Sequence, residues 1–314
     1  MTERARVVFM GTPEYAVPIL LGLLAAHQVL AVVTQPDRPA GRGRALKPSP
    51  VKEAALAHGL EVLQPTRLRD NPPFLEKVRD LNPDVLVVAA FGMILPSEML
   101  TLPPHGCLNV HASLLPRHRG AAPVPAAILA GDPETGVTII CMDEGVDTGP
   151  ILSQARCAIA EEDTAGILTG KLAILGRDLL LETLPRWLTG EIVPSPQDGK
   201  AATYTGHLEK SIAEIDWTKP AEQLAREVRA YNPWPGSFTF WRGQRLKVLR
   251  AQALRSPSAH GVPGQVVMNG DDPGVITGCG ILILKEVQLA GKQALAAVDF
   301  CRGQQGFMGA VLGQ

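Results

Sequence analysis

The chain has 314 residues, 46% of them apolar and 19% charged, with a formal net charge of −1. That length is long for one hydrophobic core and predicts two domains, and the composition excludes a disordered chain. With so little net charge, an anionic partner has to be met by a local basic patch and not by the global field. Five scattered cysteines at positions 107, 141, 157, 279 and 301 form no C-x-x-C pair. They argue against a disulfide framework or a zinc site, and a reducing cytoplasm is the simplest setting. The first residues do not read as a signal peptide, and no stretch approaches the roughly 18 apolar residues of a spanning helix.

In chain order, Val7-Val8-Phe9-Met10 reads as a short strand stopped by Gly11-Thr12-Pro13, followed by a helix over 15–26 and a strand over 29–34. Asp84-Val85-Leu86-Val87-Val88-Ala89-Ala90 is a continuous run of the kind buried on both faces of a sheet. Further strands are expected at 108–111 and 137–142. A long amphipathic helix is expected over 164–188, with Thr164 as its cap and Leu168, Leu172, Leu175 and Leu179 on one stripe. Strands alternating with helices predict an α/β domain over 1–188, built on a doubly wound, mostly parallel sheet. Residues 189–205 are rich in Gly, Pro, Ser, Asp and Lys and read as a linker. From 206 to 314 the pattern changes to a helix near 221–230 and short strands at 237–241, 246–251, 265–268, 275–277 and 281–287. Five short strands with turn signals between them predict a small β-barrel of the OB-like type.

Asn109 and His111 lie two residues apart on a predicted strand, so both project from the same face. An amide beside an imidazole can polarise a carbonyl and move a proton, and a carboxylate such as Asp147 can orient the imidazole. Taken singly, Asn-x-His also suits a loop or cap, and Asp143-Glu144-Gly145-Val146-Asp147-Thr148-Gly149 also suits a plain turn or a cation loop. The dinucleotide fingerprint is absent at Gly11-Thr12-Pro13, where Pro13 removes an N–H from any phosphate cradle. No G-x-S-x-G elbow or Ser-His-Asp order points to a covalent acyl-enzyme. The spacing of His105, His111 and His118 fits no common metal site, and Cys107 reads as packing. Residues 34–48 hold Arg38, Arg42, Arg44 and Lys47 against the single acid Asp37. Such a loop is either a solvated, flexible connection or a contact for phosphates. The stretch after His111, including Ser113-Leu114-Leu115-Pro116, offers an apolar ledge with exposed backbone groups, suited to a flat heteroaromatic ligand.

In this order the pieces resemble the methionyl-tRNA formyltransferase family nearly end to end. The N-terminal part is similar to the wider formyltransferase fold through Asn109-x-His111, Ser113-Leu114-Leu115-Pro116 and the 143–149 segment ending in Asp147. Those motifs suit glycinamide ribonucleotide, formyltetrahydrofolate-hydrolysing and sugar-nucleotide relatives equally well. The Gln35-Pro36-Asp37-Arg38-Pro39-Ala40-Gly41-Arg42-Gly43 loop, Asn232-Pro233-Trp234-Pro235-Gly236 and the C-terminal barrel narrow the choice. Val124-Pro125-Ala126-Ala127 and His118 depart from the family pattern. The resemblance implies formyl transfer from 10-formyltetrahydrofolate to the α-amino group of methionyl initiator tRNA. It implies Asn109, His111 and Asp147 as catalytic residues and Ser113, Leu114, Leu115 and Pro116 as the folate seat. It further implies tRNA binding by Arg38, Arg42, Arg44, Lys47 and the 206–314 barrel, and no metal; a monomer is expected because no obvious apolar stripe is left over for a partner.

Overall fold

A computed structural model describes residues 4–40, 45–255 and 261–313. The chain divides into two compact units, the first taking Met1–Pro123, Glu134–Ala158 and Thr169–Gly206, the second Val124–Pro133, Ile159–Leu168 and His207–Gln314.

In the first unit, β1 (Arg6–Gly11) leads into α1 (Ala16–Ala26) and β2 (Gln28–Val33). A short ladder of β3 (Arg38–Ala40) and β4 (Ala45–Lys47) precedes α2 (Pro50–Ala57), β5 (Val62–Leu63) and α3 (Pro72–Asp80). Next come β6 (Val85–Ala89), α4 (Ser97–Leu100), β7 (Cys107–His111) and β8 (Arg119–Gly120). The helix α5 (Pro123–Ala130) follows in the chain but groups with the second unit from Val124 onward; the first unit then takes β9 (Glu134–Cys141), β10 (Ile151–Ala158), α6 (Ala165–Leu188) from Thr169 onward, and β11 (Tyr204–Thr205).

The seven-stranded sheet runs β10-β9-β7-β6-β1-β2-β5. The strands β1, β2, β5, β6 and β7 are parallel, whereas β9 is antiparallel to β7 and β10 to β9. The expected doubly wound, mostly parallel sheet is therefore present, with an antiparallel hairpin at one edge. Every residue of β6 and β7 is buried, as parallel strands covered on both faces require. One face packs Val8, Met10, Leu86, Val88, Phe91 and Met99 into a common core.

Local sequence chemistry sets the helix starts. Ser49 caps α2 by accepting from Lys52 N, with Pro50 at the first position, and Asn71 caps α3 in the same way through Phe74 N. Because β1 has β2 on one side and β6 on the other, the strand order reverses beside β1. That opens a crevice outside the carboxyl ends of β1 and β6. Gly11 sits there, where a Cβ would approach Ala16 Cβ to 2.8 Å and the Ala89 carbonyl to 3.0 Å.

Residues 189–205, read from sequence as a linker, run along this first unit. Ser195 and Ile151 exchange backbone hydrogen bonds at 2.8 Å, and β11 pairs in parallel with β8.

The second unit contains α7 (Ala221–Ala230) and the strands β12 (Phe238–Trp241), β13 (Gln244–Leu254), β14 (Val266–Asn269), β15 (Asp272–Ile276), β16 (Ile281–Leu289) and β17 (Ala294–Ala296), ending in α8 (Ala297–Gly303). Its antiparallel sheet has the order β12-β13-β16-β15-β14, with β17 on β16. Register shifts around Arg250 bend the eleven-residue β13, as bulges do. The final residues bond to both sheet edges. Gly309 N and Leu312 N donate to Val266 and Gly264 carbonyls, and Gly313 N donates to Phe240 O at 2.9 Å. The five expected strands are all present in this small barrel. Trp241, Phe300 and Phe307 fill it with mutually edge-on rings 5.0–5.8 Å apart. Among the described residues, no helix is long and apolar enough to cross a membrane.

Candidate active site

The strand β7 places Asn109 and His111 on one face, both buried, opposite Ile140 and Thr138 of β9. Asp147 comes from the loop joining β9 to β10. That loop is folded on itself: Asp143 Oδ1 accepts from Gly145 N at 3.1 Å and from Thr148 Oγ1 at 2.6 Å. Gly149 approaches so closely that a Cβ would lie 1.9 Å from the Cys141 carbonyl oxygen. The turn leaves Asp147 in the left-handed region, with φ +53°.

The three expected catalytic residues meet. Asn109 Nδ2 donates to Asp147 Oδ1 at 3.0 Å, and His111 Nδ1 lies 3.5 Å from that same oxygen. The other carboxylate oxygen accepts from Gly120 N at 2.8 Å. His111 Nε2 is 3.0 Å from the His118 carbonyl oxygen, which can only accept, so Nε2 carries a proton. Nδ1 is then the nitrogen that exchanges one, and it faces the carboxylate. Among the described residues, the second amide N–H of Asn109 meets no acceptor and is available to a ligand oxygen.

The 113–116 ledge differs from expectation. Its backbone groups are largely engaged within the protein: Leu115 N donates to Thr138 Oγ1, Leu115 O accepts from Gln154, and Pro116 O accepts from Thr203 N. Ser113 and Leu115 are buried, and the Ser113 hydroxyl donates to Arg117 O at 2.6 Å. Leu114 and Pro116 retain half-buried apolar surface. A turn this tight satisfies its own peptide groups, which the spacing of leucines and prolines did not reveal.

In the basic loop, β3 and β4 set Arg38 opposite Lys47, both exposed. They flank a cavity of about 500 Å³ whose walls include Thr12, Tyr15, Gln35 and Ser49. Lys52 Nζ donates to Asp37 and to Gln64 Oε1, each at 2.7 Å, and Gln35 donates to the Phe91 and Gly92 carbonyls. The hydrogen bond from Lys52, followed by one from Gln64, holds the Asp37 carboxyl below the usual carboxylate range. Arg42 and Arg44 lie outside the described residues. Sequence reasoning missed Gln197, which donates to the Asp147 and Gly149 carbonyls, and Arg119, which donates to Gln197; no periodicity or motif marks an isolated amide donor. Among the described residues, no group of three or more His, Cys, Asp or Glu side chains is placed to hold a metal ion.

Residues 5–184 match the family described as Formyl transferase, and residues 207–305 match Formyl transferase, C-terminal domain. Methionyl-tRNA formyltransferase of Myxococcus xanthus is 50% identical over 305 residues, covering 96% of this chain and 96% of that one. The enzyme of that name from Chromobacterium violaceum is 51% identical over 302 residues, covering 95% of this chain and 96% of its own. The chain belongs to the methionyl-tRNA formyltransferase family. Two solved structures share the fold at lower identity. HypX from Aquifex aeolicus in complex with tetrahydrofolic acid matches at 16% identity and TM-score 0.64, over 97% of this chain and 48% of that one. An N-formyltransferase from Helicobacter canadensis, bound to folinic acid and dTDP-3-aminofucose, matches at 19% identity and TM-score 0.66, over 93% of this chain and 100% of that one.

Proposed function

We infer that this chain transfers the formyl group of 10-formyltetrahydrofolate to the α-amino group of methionine carried by initiator tRNA, supplying formyl-methionyl-tRNA for translation initiation. The observation that carries the reading is the shared carboxylate oxygen. Asp147 Oδ1 holds the Asn109 amide and faces His111 Nδ1, in a chain whose relatives are named for this transfer.

The attacking amine has to be neutral, and negative charge develops on the formyl oxygen as it attacks. The free N–H of Asn109 stabilises that charge in a site screened from water; losing one such donor lowers the rate by about 10²–10³-fold. Nδ1 of His111 moves the proton lost by the attacking amine towards N10 as the bond between the formyl carbon and N10 breaks, a role worth about 10²–10⁴-fold, and shares in holding the oxygen when protonated. Asp147 fixes the amide and imidazole relative to each other and balances the imidazolium. It also serves to accept the amine proton, directly or through water.

Folate, the formyl donor released as tetrahydrofolate, rests on the apolar surface of Leu114 and Pro116, with Ser113 and Leu115 fixing the turn beneath. Arg38, Arg42, Arg44 and Lys47 grip phosphates of the acceptor end. The 206–314 domain adds a net positive surface, with twelve Lys and Arg against nine Asp and Glu. The protein works as a monomer in the cytoplasm and uses no metal. The test is incubation with 10-formyltetrahydrofolate and charged initiator tRNA, against uncharged and elongator controls. Formylation confined to the charged initiator supports the reading. Turnover of an amino sugar nucleotide without tRNA would overturn it.

A further inference from the structure

We propose that Arg119 and Gln197 are positioning residues for this transfer, Gln197 acting on the Asp147 turn from 50 residues away in sequence and Arg119 acting through Gln197; the inference rests on the reading above. Gln197 Nε2 donates to the Asp147 carbonyl at 2.8 Å and to the Gly149 carbonyl at 2.7 Å, so both amide hydrogens are engaged by the turn. Its Oε1 accepts from Arg119 twice, from Nε at 3.1 Å and from NH2 at 2.8 Å. A guanidinium only donates and a peptide carbonyl only accepts, which fixes the orientation of the amide between them.

The arrangement is directional. Arg119 is 5% exposed, and its remaining terminal nitrogen donates to the Tyr204 hydroxyl at 3.2 Å. A buried guanidinium is costly unless its donors are met. Here the three bonds end on neutral oxygens, so the cation polarises the Gln197 amide and strengthens its donation to the turn. The next residue, Gly120, gives its own N–H to Asp147 Oδ2. The Arg119–Gly120 pair therefore restrains Asp147 at both ends, carbonyl through Gln197 and carboxylate directly.

Two features make such restraint consequential. Asp147 occupies a left-handed conformation that side-chain-bearing residues disfavour, so the turn relaxes when its clamp is removed. Gln197 is itself anchored two residues earlier, where Ser195 and Ile151 exchange hydrogen bonds at the sheet edge. Movement of the turn would swing Oδ1 away from Asn109 and His111 without touching either substrate surface.

The test is Gln197→Glu, which still accepts from Arg119 but has no hydrogen to give the two carbonyls. In the formylation assay, kcat is expected to fall about 10–100-fold. KM for methionyl-tRNA and for 10-formyltetrahydrofolate is expected to stay within about twofold. Repeated in an Asp147→Asn background by single-turnover measurement, the same change is expected to reduce the rate by less than about threefold, because the group being positioned is already gone. Gln197→Met, uncharged and of similar length, carries the same expectations and takes over if the Glu variant does not fold. Unchanged kcat, or an equal loss in both backgrounds, would overturn the proposal. Absence of formylation by the wild-type chain would instead overturn the reading on which it rests.

Discussion

The Asn109 amide and the Asp147 carboxylate meet at 3.0 Å although 38 positions separate them in sequence. The amide therefore presents a fixed N–H to a ligand, and the same carboxylate oxygen lies 3.5 Å from His111 Nδ1. Asp147→Asn keeps the shape and removes the charge. It is expected to lower kcat by about 10²–10⁴-fold, the range for a disabled proton-transfer partner, with little change in KM for either substrate. Steady-state kinetics with both substrates varied checks this.

The basic ladder makes a separable prediction. Arg38 and Lys47 face one another across β3 and β4, so replacing both with Ala removes two adjacent cations without breaking the backbone pairing. The double variant should use tRNA less well. Its dependence of log(kcat/KM) on log salt should flatten by up to about two, roughly one for each lost phosphate contact. KM for the folate should not move. A change confined to folate would assign the ladder to the other substrate.

Cys107 tests whether proximity to the triad means participation. It is fully buried, and its thiol is pushed up to about 12 by that burial, with a smaller contribution from Cys141 nearby. Iodoacetamide at pH 8 should label the exposed Cys279 readily and Cys107 only on unfolding, because the thiolate is the reactive form. Cys107→Ala should keep turnover near wild type and lose about 1–2 kcal/mol of stability, the common range for a small core truncation.

His27 supplies a pH dependence outside the site. The residue is 8% exposed, its Nδ1 has no hydrogen-bond partner among the described residues, and burial, then the charge of Arg4, hold its pKa below the usual value. Above pH about 6.5, both folded and unfolded forms carry a neutral ring and the group has no effect on stability. As pH falls below that, the unfolded chain takes up the proton first, so stability is lost. Urea denaturation at pH 7.5 and 5.5 should therefore show a larger loss for wild type than for His27→Gln.

Much of this architecture was legible where one physical constraint acts along the chain. The continuous apolar run of β6 announced a strand covered on both faces, and the alternation in β7 put Asn109 and His111 on one side. The Thr164 cap was also readable: its hydroxyl accepts from Ile167 N at 3.3 Å. Elements too short to show a period were not, among them the two-residue β5, the three-residue β17 and α8. The edge strand β10 alternates polar and half-buried residues and lacks an apolar run. Gln197 sits in a Pro- and Ser-rich stretch whose composition suggests a loose connection. Its hydrogen bonds depend on long-range closure that local sequence does not encode. The 113–116 ledge misled for a related reason, since residue types there do not disclose that the peptide groups are already paired.

The most direct test of the account is single-turnover transfer of a labelled formyl group from 10-formyltetrahydrofolate to methionyl initiator tRNA, comparing wild type with Asn109→Ala and His111→Ala. The account predicts rapid transfer by wild type, a loss of about 10²-fold or more in each variant, and tRNA affinity near wild type throughout. Near wild-type transfer by His111→Ala would contradict it.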